Sequence, residues 1–371
     1  MIYLDHAATA PVRKEALEAM FPYFSDSFAN ASSGYAAART TRSAIDRARR
    51  QVANAIGARD NEIYFTSGGT EANNWAILGF AHANPQKKHI ISSRIEHHAV
   101  LHVLDILKAS GYEVSYLSAD SMGRVSPQEL SSVIRADTLM VSVMMANNEV
   151  GTIEPVKQLA EIAHQHGAAM HTDAIQAVGH IPTNVQELGV DFLSMSAHKF
   201  GGPKGIGALY MRSSMKVSNL IHGGAQERGM RAGTENTPGI VGMGCALERS
   251  MLELEQNAER VSLLRDEMEA LLRQIDGIRI NGDPVHRLPG HLHVSFDGIS
   301  TAAMMMQLDM AGIAASSGSA CTSGAVSPSH VLAAMGLTGS NQADIRFSLG
   351  AENTKEEIRQ TIQTLRQIVK R

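Results

Sequence analysis

Lys199 stands in Ser194-Met195-Ser196-Ala197-His198-Lys199-Phe200-Gly201-Gly202, directly after the apolar run Phe192–Ser194. A lysine at a strand end, beside hydroxyl and imidazole groups and followed by glycines, is placed as a Schiff-base lysine is placed. The neighbouring glycines do not match the G-x-x-x-x-G-K-[ST] loop of nucleotide binders, and the apolar approach disfavours a plain surface lysine. A second candidate is Asp173, in His171-Thr172-Asp173-Ala174-Ile175-Gln176. At the carboxyl end of a strand it could bind a metal, cap a helix or hold a cationic nitrogen. The third is Ser67-Gly68-Gly69-Thr70-Glu71, which follows Ile63-Tyr64-Phe65 and opens a helix. Free N–H groups and the helix dipole make such a start an anion site, although an ordinary turn with a Thr cap reads the same way. An anion-binding helix start, a carboxylate and a lysine on three post-strand loops together fit pyridoxal phosphate, whose ring acts as an electron sink when its nitrogen stays protonated.

Loops of that kind need a sheet behind them. Short apolar runs at Glu62–Phe65, His89–Ser92, Glu113–Leu117, Leu139–Met145, Ala169–His171, Phe192–Ser194 and Ala208–Met211 read as strands. Between them Thr70–Ala81, Ala99–Ser110, Pro127–Ile134 and Val156–His166 read as amphipathic helices. This alternation predicts an α/β fold with a mainly parallel, seven-stranded sheet, covered by helices on both faces and binding its ligand at the strands' carboxyl ends. From about residue 236 the pattern changes. A long helix over roughly Gly239–Gln274, strands at His291–Phe296 and Asp344–Ser348, and helices near Thr301–Ala311 and Lys355–Lys370 suggest a smaller α+β unit. We divide the chain into a large domain, 1–250, and a small domain, 251–371, with the first dozen residues packing against the small one.

The 371 residues carry 37 acidic and 33 basic side chains, a net charge of −4. This balance argues against direct nucleic-acid binding. No apolar stretch suffices to span a membrane and no secretory signal is expected. Cys245 and Cys321 are the only cysteines, too few for a disulfide framework, so a reducing cytoplasm is expected.

The motifs Tyr3-Leu4-Asp5-His6-Ala7-Ala8-Thr9, Phe65-Thr66-Ser67-Gly68-Gly69-Thr70-Glu71, Glu96-His97, Asn147-Asn148-Glu149-Val150-Gly151, His171–Gln176, Ser196-Ala197-His198-Lys199, Gly229-Met230-Arg231-Ala232-Gly233-Thr234, Ser316-Ser317-Gly318-Ser319-Ala320-Cys321 and Ile345-Arg346-Phe347-Ser348 resemble the cysteine desulfurases of the iron–sulfur type, within the class V aminotransferase fold. The resemblance covers nearly the whole chain. It implies Lys199 as the Schiff-base lysine, Asp173 as partner of the pyridine nitrogen and Gln176 as partner of the ring oxygen. It places Asn148 on cofactor or substrate, and His97 over the ring in a proton-moving position. Gly69, Thr70, Ser196 and His198 would hold the phosphate, and Thr234 would reach the phosphate of a neighbouring subunit, implying a homodimer. Arg346, assisted by Asn30, would bind the substrate carboxylate, a task that suits the planar guanidinium. Ala31 and Tyr35 depart from the family, which usually has Pro and His there.

Cys321 would be the nucleophile, taking sulfur from L-cysteine with L-alanine as coproduct and passing it to an acceptor protein, an iron–sulfur scaffold or a tRNA- or cofactor-thiolation enzyme. The small, polar stretch Ser316–Gly324 around it reads as a mobile loop, whereas Cys245 reads as a buried, inert cysteine on a helix packing face. A selenocysteine lyase, a class V aminotransferase and a degenerate dimeric scaffold are the rival readings. The intact Lys199, Asp173, Arg346 and Cys321 argue against the last. His291 and His293 share a strand face and could bind zinc, with His164 and His166 as paper candidates; solvated or core-edge histidines are the expected outcome. Met304-Met305-Met306 is expected to pack rather than ligate.

Overall fold

The computed structural model describes residues 1–317, 329–339 and 341–369. The described residues form strands β1 (Ile2–Tyr3), β2 (Ile63–Thr66), β3 (His89–Ser93), β4 (Glu113–Leu117), β5 (Thr138–Ser142), β6 (Ala169–Asp173), β7 (Phe192–Ser196), β8 (Gly207–Met211), β9 (Ile278–Asn281), β10 (His291–Asp297), β11 (Ile313–Ala314) and β12 (Gln342–Ser348). Seven of them build one sheet in the order β2-β8-β7-β6-β5-β3-β4. β8 runs antiparallel to both neighbours and the other pairs are parallel. The carboxyl ends of β2, β3, β5, β6 and β7 therefore share one edge. Every residue of β3, β5, β6, β7 and β8 is buried, as expected of strands covered on both faces.

Burial on both faces forces the polar residues of these strands to find one another. His171 lies between Ser142 Oγ, 2.8 Å from its Nδ1, and Ser194 Oγ, 3.1 Å from its Nε2. Ser92 Oγ donates to the Ser142 carbonyl at 2.8 Å. Burial pushes His171 down to about 3, so the row is uncharged.

The helix Ala36–Ala55, absent from the sequence expectations, buries Ala38, Thr41, Ala44, Ile45, Ala48, Arg49, Val52 and Ala53 at helical spacing. It packs closely on the helix Thr237–Leu252: a Cβ on Gly244 would come within 2.8 Å of Ala48 Cα. The expected long helix over Gly239–Gln274 is in fact two helices, Thr237–Leu252 and Leu254–Leu272, with Glu253 non-helical between them. Ile240, Met243, Ala246 and Leu247 join the large core. Leu264, Met268 and Leu272 join a second core with Phe296, Phe347, Ile358 and Leu365. One straight rod would not bury both apolar faces, and Arg13 fixes the break through Glu253 at 2.7 Å. The second core rests on the sheet β12-β10-β9 and takes in Leu4; β1 pairs in parallel with β11.

The helical run that starts at Gly69 includes a π-helical turn, Trp75–Gly79. Trp75 is fully buried, stands edge-on to Tyr64 and donates from Nε1 to the Ser218 carbonyl at 3.1 Å.

Loop 227–236 is anchored by a buried ion pair. Arg49 Nη1 and Nη2 each reach Glu227 at 2.7 Å, and Phe65 N–H donates to the same carboxylate at 2.9 Å. Glu227 and Arg228 sit at φ 47° and 61°, a region unfavourable for side chains other than glycine, which the ion pair offsets. Breaking a buried pair strands a charge, so Glu227→Ala is expected to cost about 3–5 kcal/mol. Urea denaturation checks this; a loss below about 1 kcal/mol, typical of an exposed pair, would refute the anchor.

Glu96 is fully buried beneath the carboxyl edge, its Oε1 accepting from Ser93 Oγ at 2.6 Å and from Met144 N–H at 3.0 Å. Burial pushes its carboxyl up to about 8, with the Asp173 charge adding to the rise. The folded protein thus keeps a proton that the unfolded chain releases near 4.5. Stability should fall as pH rises from the unfolded to the folded value, by at most about 1.4 kcal/mol per pH unit for this group, and level off above. Glu96→Gln should flatten that slope in urea titrations between pH 5.5 and 7.5; an unchanged slope would refute the assignment.

Candidate active site

Five post-strand loops meet at the carboxyl edge. After β6, Asp173 is buried and held by two uncharged donors: Asn73 Nδ2 reaches its Oδ2 at 2.7 Å and Ile175 N–H its Oδ1 at 3.0 Å. Burial raises its pKa, opposed first by His97, then by the Ile175 amide, Asn73 and Lys199. After β3, His97 caps the helix His98–Ala109, its Nδ1 accepting from Ala99 N–H at 3.1 Å. Burial holds its ring below the usual imidazole value, against the pull of Asp173 and with the push of Lys199. His97 is therefore neutral at pH 7, with its proton on Nε2. After β7, the turn Ala197–Lys199 carries the lysine.

The N-terminal segment threads across this edge. Lys199 Nζ donates to the carbonyls of Ala7 at 2.6 Å and Ala8 at 2.9 Å. Gln176 Nε2 donates to the same Ala7 carbonyl at 3.0 Å. Thr9 Oγ1 lies 3.2 Å from His198 Nδ1, whose ring burial and the Lys199 and Lys204 charges push down to about 4. Asp5 Oδ1 accepts from Arg346 Nη2 at 2.8 Å, and Asn148 O accepts from Nη1 at 2.7 Å. Arg346 is buried and among the described residues its Nε has no partner, an unmet donor of the sort a carboxylate satisfies.

The helix start at Gly69 presses on two of these loops. A Cβ there would collide with Ile175 Cδ1 and lie 3.5 Å from Ser196 Cβ. Gly207, on the neighbouring strand, has equally little room: its Cβ would come within 2.8 Å of Gly68. Gly69 and Ser196 are buried while Thr70 is exposed. Glu71 keeps this turn in place, accepting from Ser67 N–H at 2.7 Å and pairing with Arg231 at 2.8 and 3.0 Å.

These residues fit pyridoxal phosphate. Asp173, a buried carboxyl with neutral donors, is suited to a cationic ring nitrogen. The glycine start of a helix beside Ser196 is suited to a phosphate, and Lys199 lies within electrostatic reach of both Asp173 and His97.

The structure thus gathers Gly69, Thr70, His97, Asp173, Gln176, Ser196, His198 and Lys199 at one edge, with Asn148 tied to Arg346. Thr234 is exposed on the rim of a cleft it shares with Ser67, Gly205 and Arg231. Asn30 is exposed, with its Oδ1 taken by Ser32 N–H at 2.9 Å; among the described residues no hydrogen bond joins it to Arg346. Cys321, and the loop expected around it, lie outside the described residues apart from Ser316 and Ser317. Asp5, Ala7, Asn73, Glu71 and Arg231 escaped the sequence reading as site residues, although four of them stand inside or beside motifs it quoted.

Of the remaining histidines, His164 and His166 are exposed, as expected. His291 and His293 are buried, not solvated or at the core edge, and burial lowers both, His293 to about 3. His293 Nδ1 pairs with Asn281 Nδ2 at 3.0 Å. His164 pairs with Asp191 at 2.8 Å. Among the described residues no group of three or more metal-binding side chains is assembled. Met304 packs in the small core while Met306 is exposed. Cys245 is half-buried rather than buried, and partial burial raises its thiol above the ordinary value. No described helix is long and apolar enough to cross a membrane.

Comparison with known proteins agrees with this geometry. The model of the class-V aminotransferase family matches residues 2–361. A protein of Methanosarcina thermophila named cysteine desulfurase IscS is 49% identical over 372 residues, covering 100% of this chain and 92% of the relative. A solved NifS-like protein superposes with a TM-score of 0.94 at 37% identity, covering 100% of this chain and 99% of that one. A structure described as SspA in complex with cysteine gives a TM-score of 0.85 at 35% identity, covering 95% of this chain and 100% of that one. By its full-length match and by these relatives, the chain belongs to the pyridoxal-phosphate-dependent class-V aminotransferase family, among its cysteine desulfurases.

Proposed function

We propose that this protein takes sulfur from L-cysteine, leaving L-alanine, and carries it as a persulfide on Cys321 to an acceptor protein that serves iron–sulfur assembly or tRNA or cofactor thiolation. The observation that carries the reading is the convergence of Lys199, Asp173 and His97 at one sheet edge in a chain whose full-length relatives are named cysteine desulfurases. Bound at Lys199, pyridoxal phosphate supplies the electron sink that makes the substrate's Cβ–S bond breakable.

The chain's own residues do the rest. Asp173 holds a proton on the ring nitrogen. Gln176 holds the ring oxygen once it leaves the Ala7 carbonyl. Gly69, Thr70, Ser196 and His198 receive the phosphate, with Thr234 from the second subunit. Arg346, with Asn30 and Asn148, orients the substrate carboxylate. His97 moves protons through Nε2, because Nδ1 is committed to Ala99 N–H. The Cys321 thiolate attacks the substrate sulfur. An S–S bond forms, the Cβ–S bond breaks with its electron pair left on carbon, and the proton lost by the thiol is balanced by the one the β-carbon gains.

A homodimer is part of this proposal. Phe21, Phe24, Phe28 and Tyr35 are 68%, 63%, 74% and 57% exposed along one short segment, the kind of apolar surface a second copy covers. We take the chain as two domains, 1–250 and 251–371, the second built on its own core, working in the cytoplasm.

Cys321→Ser is expected to bind L-cysteine, seen as a shift in cofactor absorbance, yet to form alanine at least a hundredfold more slowly, because a hydroxyl does not accept sulfur. Full alanine production by this variant would exclude a route through Cys321. Borohydride should fix the cofactor on the Lys199 peptide in wild type, and an adduct on Lys204 would overturn that role. Phe24→Asp combined with Phe28→Asp should move the protein from dimer to monomer in sedimentation velocity. A dimer unaffected by both charges would place the interface elsewhere.

A further inference from the structure

The turn after β5 is tied directly to the residue that follows the segment 318–328, and through Arg346 to the residues that precede it. On the entering side Ser316 and Arg346 form a two-way backbone bridge, Ser316 N–H to Arg346 O at 3.2 Å and Arg346 N–H to Ser316 O at 2.6 Å. The same Arg346 donates from Nη1 to Asn148 O at 2.7 Å. On the leaving side Ser329 Oγ donates to Glu149 Oε2 at 2.5 Å. That hydroxyl also accepts from Leu332 N–H at 3.1 Å, which makes it the cap of the helix His330–Ala334. His330 Nε2 donates to the Glu96 carbonyl at 2.9 Å.

Beneath these bonds lies an apolar cluster separate from the three larger ones: Ile95, Val150, Val331, Leu332 and Met335, all buried. The helix His330–Ala334 is therefore docked on the loops after β3 and β5, while Ser316 is bridged to β12 of the small sheet. The Asn148–Glu149 peptide joins the two attachments.

Glu149 is 2% exposed, and among the described residues no lysine or arginine forms an ion pair with it. Its own N–H donates to Asn147 Oδ1 at 2.9 Å, fixing the turn. A buried carboxyl without a direct ion pair is costly to keep, and the proposed chemistry does not use it.

We propose that Glu149 is a positioning residue for sulfur transfer. Through Ser329 it seats the carboxyl-terminal flank of the Cys321 segment on the same turn whose Asn148 carbonyl holds Arg346. This rests on the reading of Cys321 as the sulfur acceptor. Ser329 and Arg346 are thus both tied to the Asn148–Glu149 turn.

Glu149→Ala, Glu149→Gln and Ser329→Ala test this. In cofactor-free protein, amide hydrogen exchange of residues 329–335 should accelerate at least tenfold in Glu149→Ala. In the holoenzyme, single-turnover transfer of sulfur to Cys321, followed by intact mass, should slow at least tenfold. L-cysteine binding, followed by cofactor absorbance, should change less than threefold. Glu149→Gln, which keeps an acceptor for Ser329, should recover much of both losses. Ser329→Ala should reproduce Glu149→Ala, and the double variant should be no worse than either. Unchanged exchange, or a loss of binding as large as the loss of transfer, overturns the positioning role. A wild-type protein that gains no sulfur on Cys321 overturns the functional reading first, and the positioning role with it.

Discussion

The site depends on a set of hydrogen bonds that residues 5–9 make across the sheet's carboxyl edge. The Ala7 carbonyl takes donors from both Lys199 and Gln176, Thr9 meets His198, and Asp5 pairs with Arg346. Those four partners come from loops after β6 and β7 and from β12, that is, from two different cores. The same segment also buries Leu4 in the small core and pairs backbone with Ser348 and Ala314. A stretch with few side-chain functions thus fixes the spacing between the proposed substrate-binding arginine and the proposed cofactor-binding lysine.

Electrostatics at this edge follow one theme. Asp173, Glu96 and Glu149 are all buried, and all are raised by burial. The hydrogen bonds that hold them come from amides and hydroxyls. Neutral donors keep the Asp173 carboxyl in place without pairing it to a cation. Asp173 in this way remains available to a cationic partner, whereas the ion pairs Arg49–Glu227 and Arg231–Glu71 act at the supporting loops.

The catalytic-edge loops were legible because each is a local pattern: an apolar run, then a polar residue, then a glycine or helix start. The sequence pattern singles out Lys199, Asp173 and Gly69 in that way, and the structure gathers them at one edge of the seven-stranded sheet. Partner choice was not legible, since nothing local to Asp173 announces Asn73 and nothing near Lys199 announces the Ala7 carbonyl; these are decided by strand order. The break at Glu253 was hidden for a similar reason. No proline or glycine marks it, and only the presence of two separate cores requires it. Polarity in a strand suggests an exposed face for His291 and His293, yet both are buried, and His293 meets a polar lining of Asn281 and Ser295 inside the fold.

Trp75 is the only tryptophan in the chain. It is sealed from water on the helical run whose first residue, Gly69, opens the proposed phosphate site. Its indole emission therefore comes from a single, dry location, and pyridoxal phosphate absorbs in the range where a shielded indole emits. The molecule carries its own optical gauge: cofactor loading dims it by energy transfer, and loosening of this helical layer shifts it to the red, so the two events can be followed separately without any label.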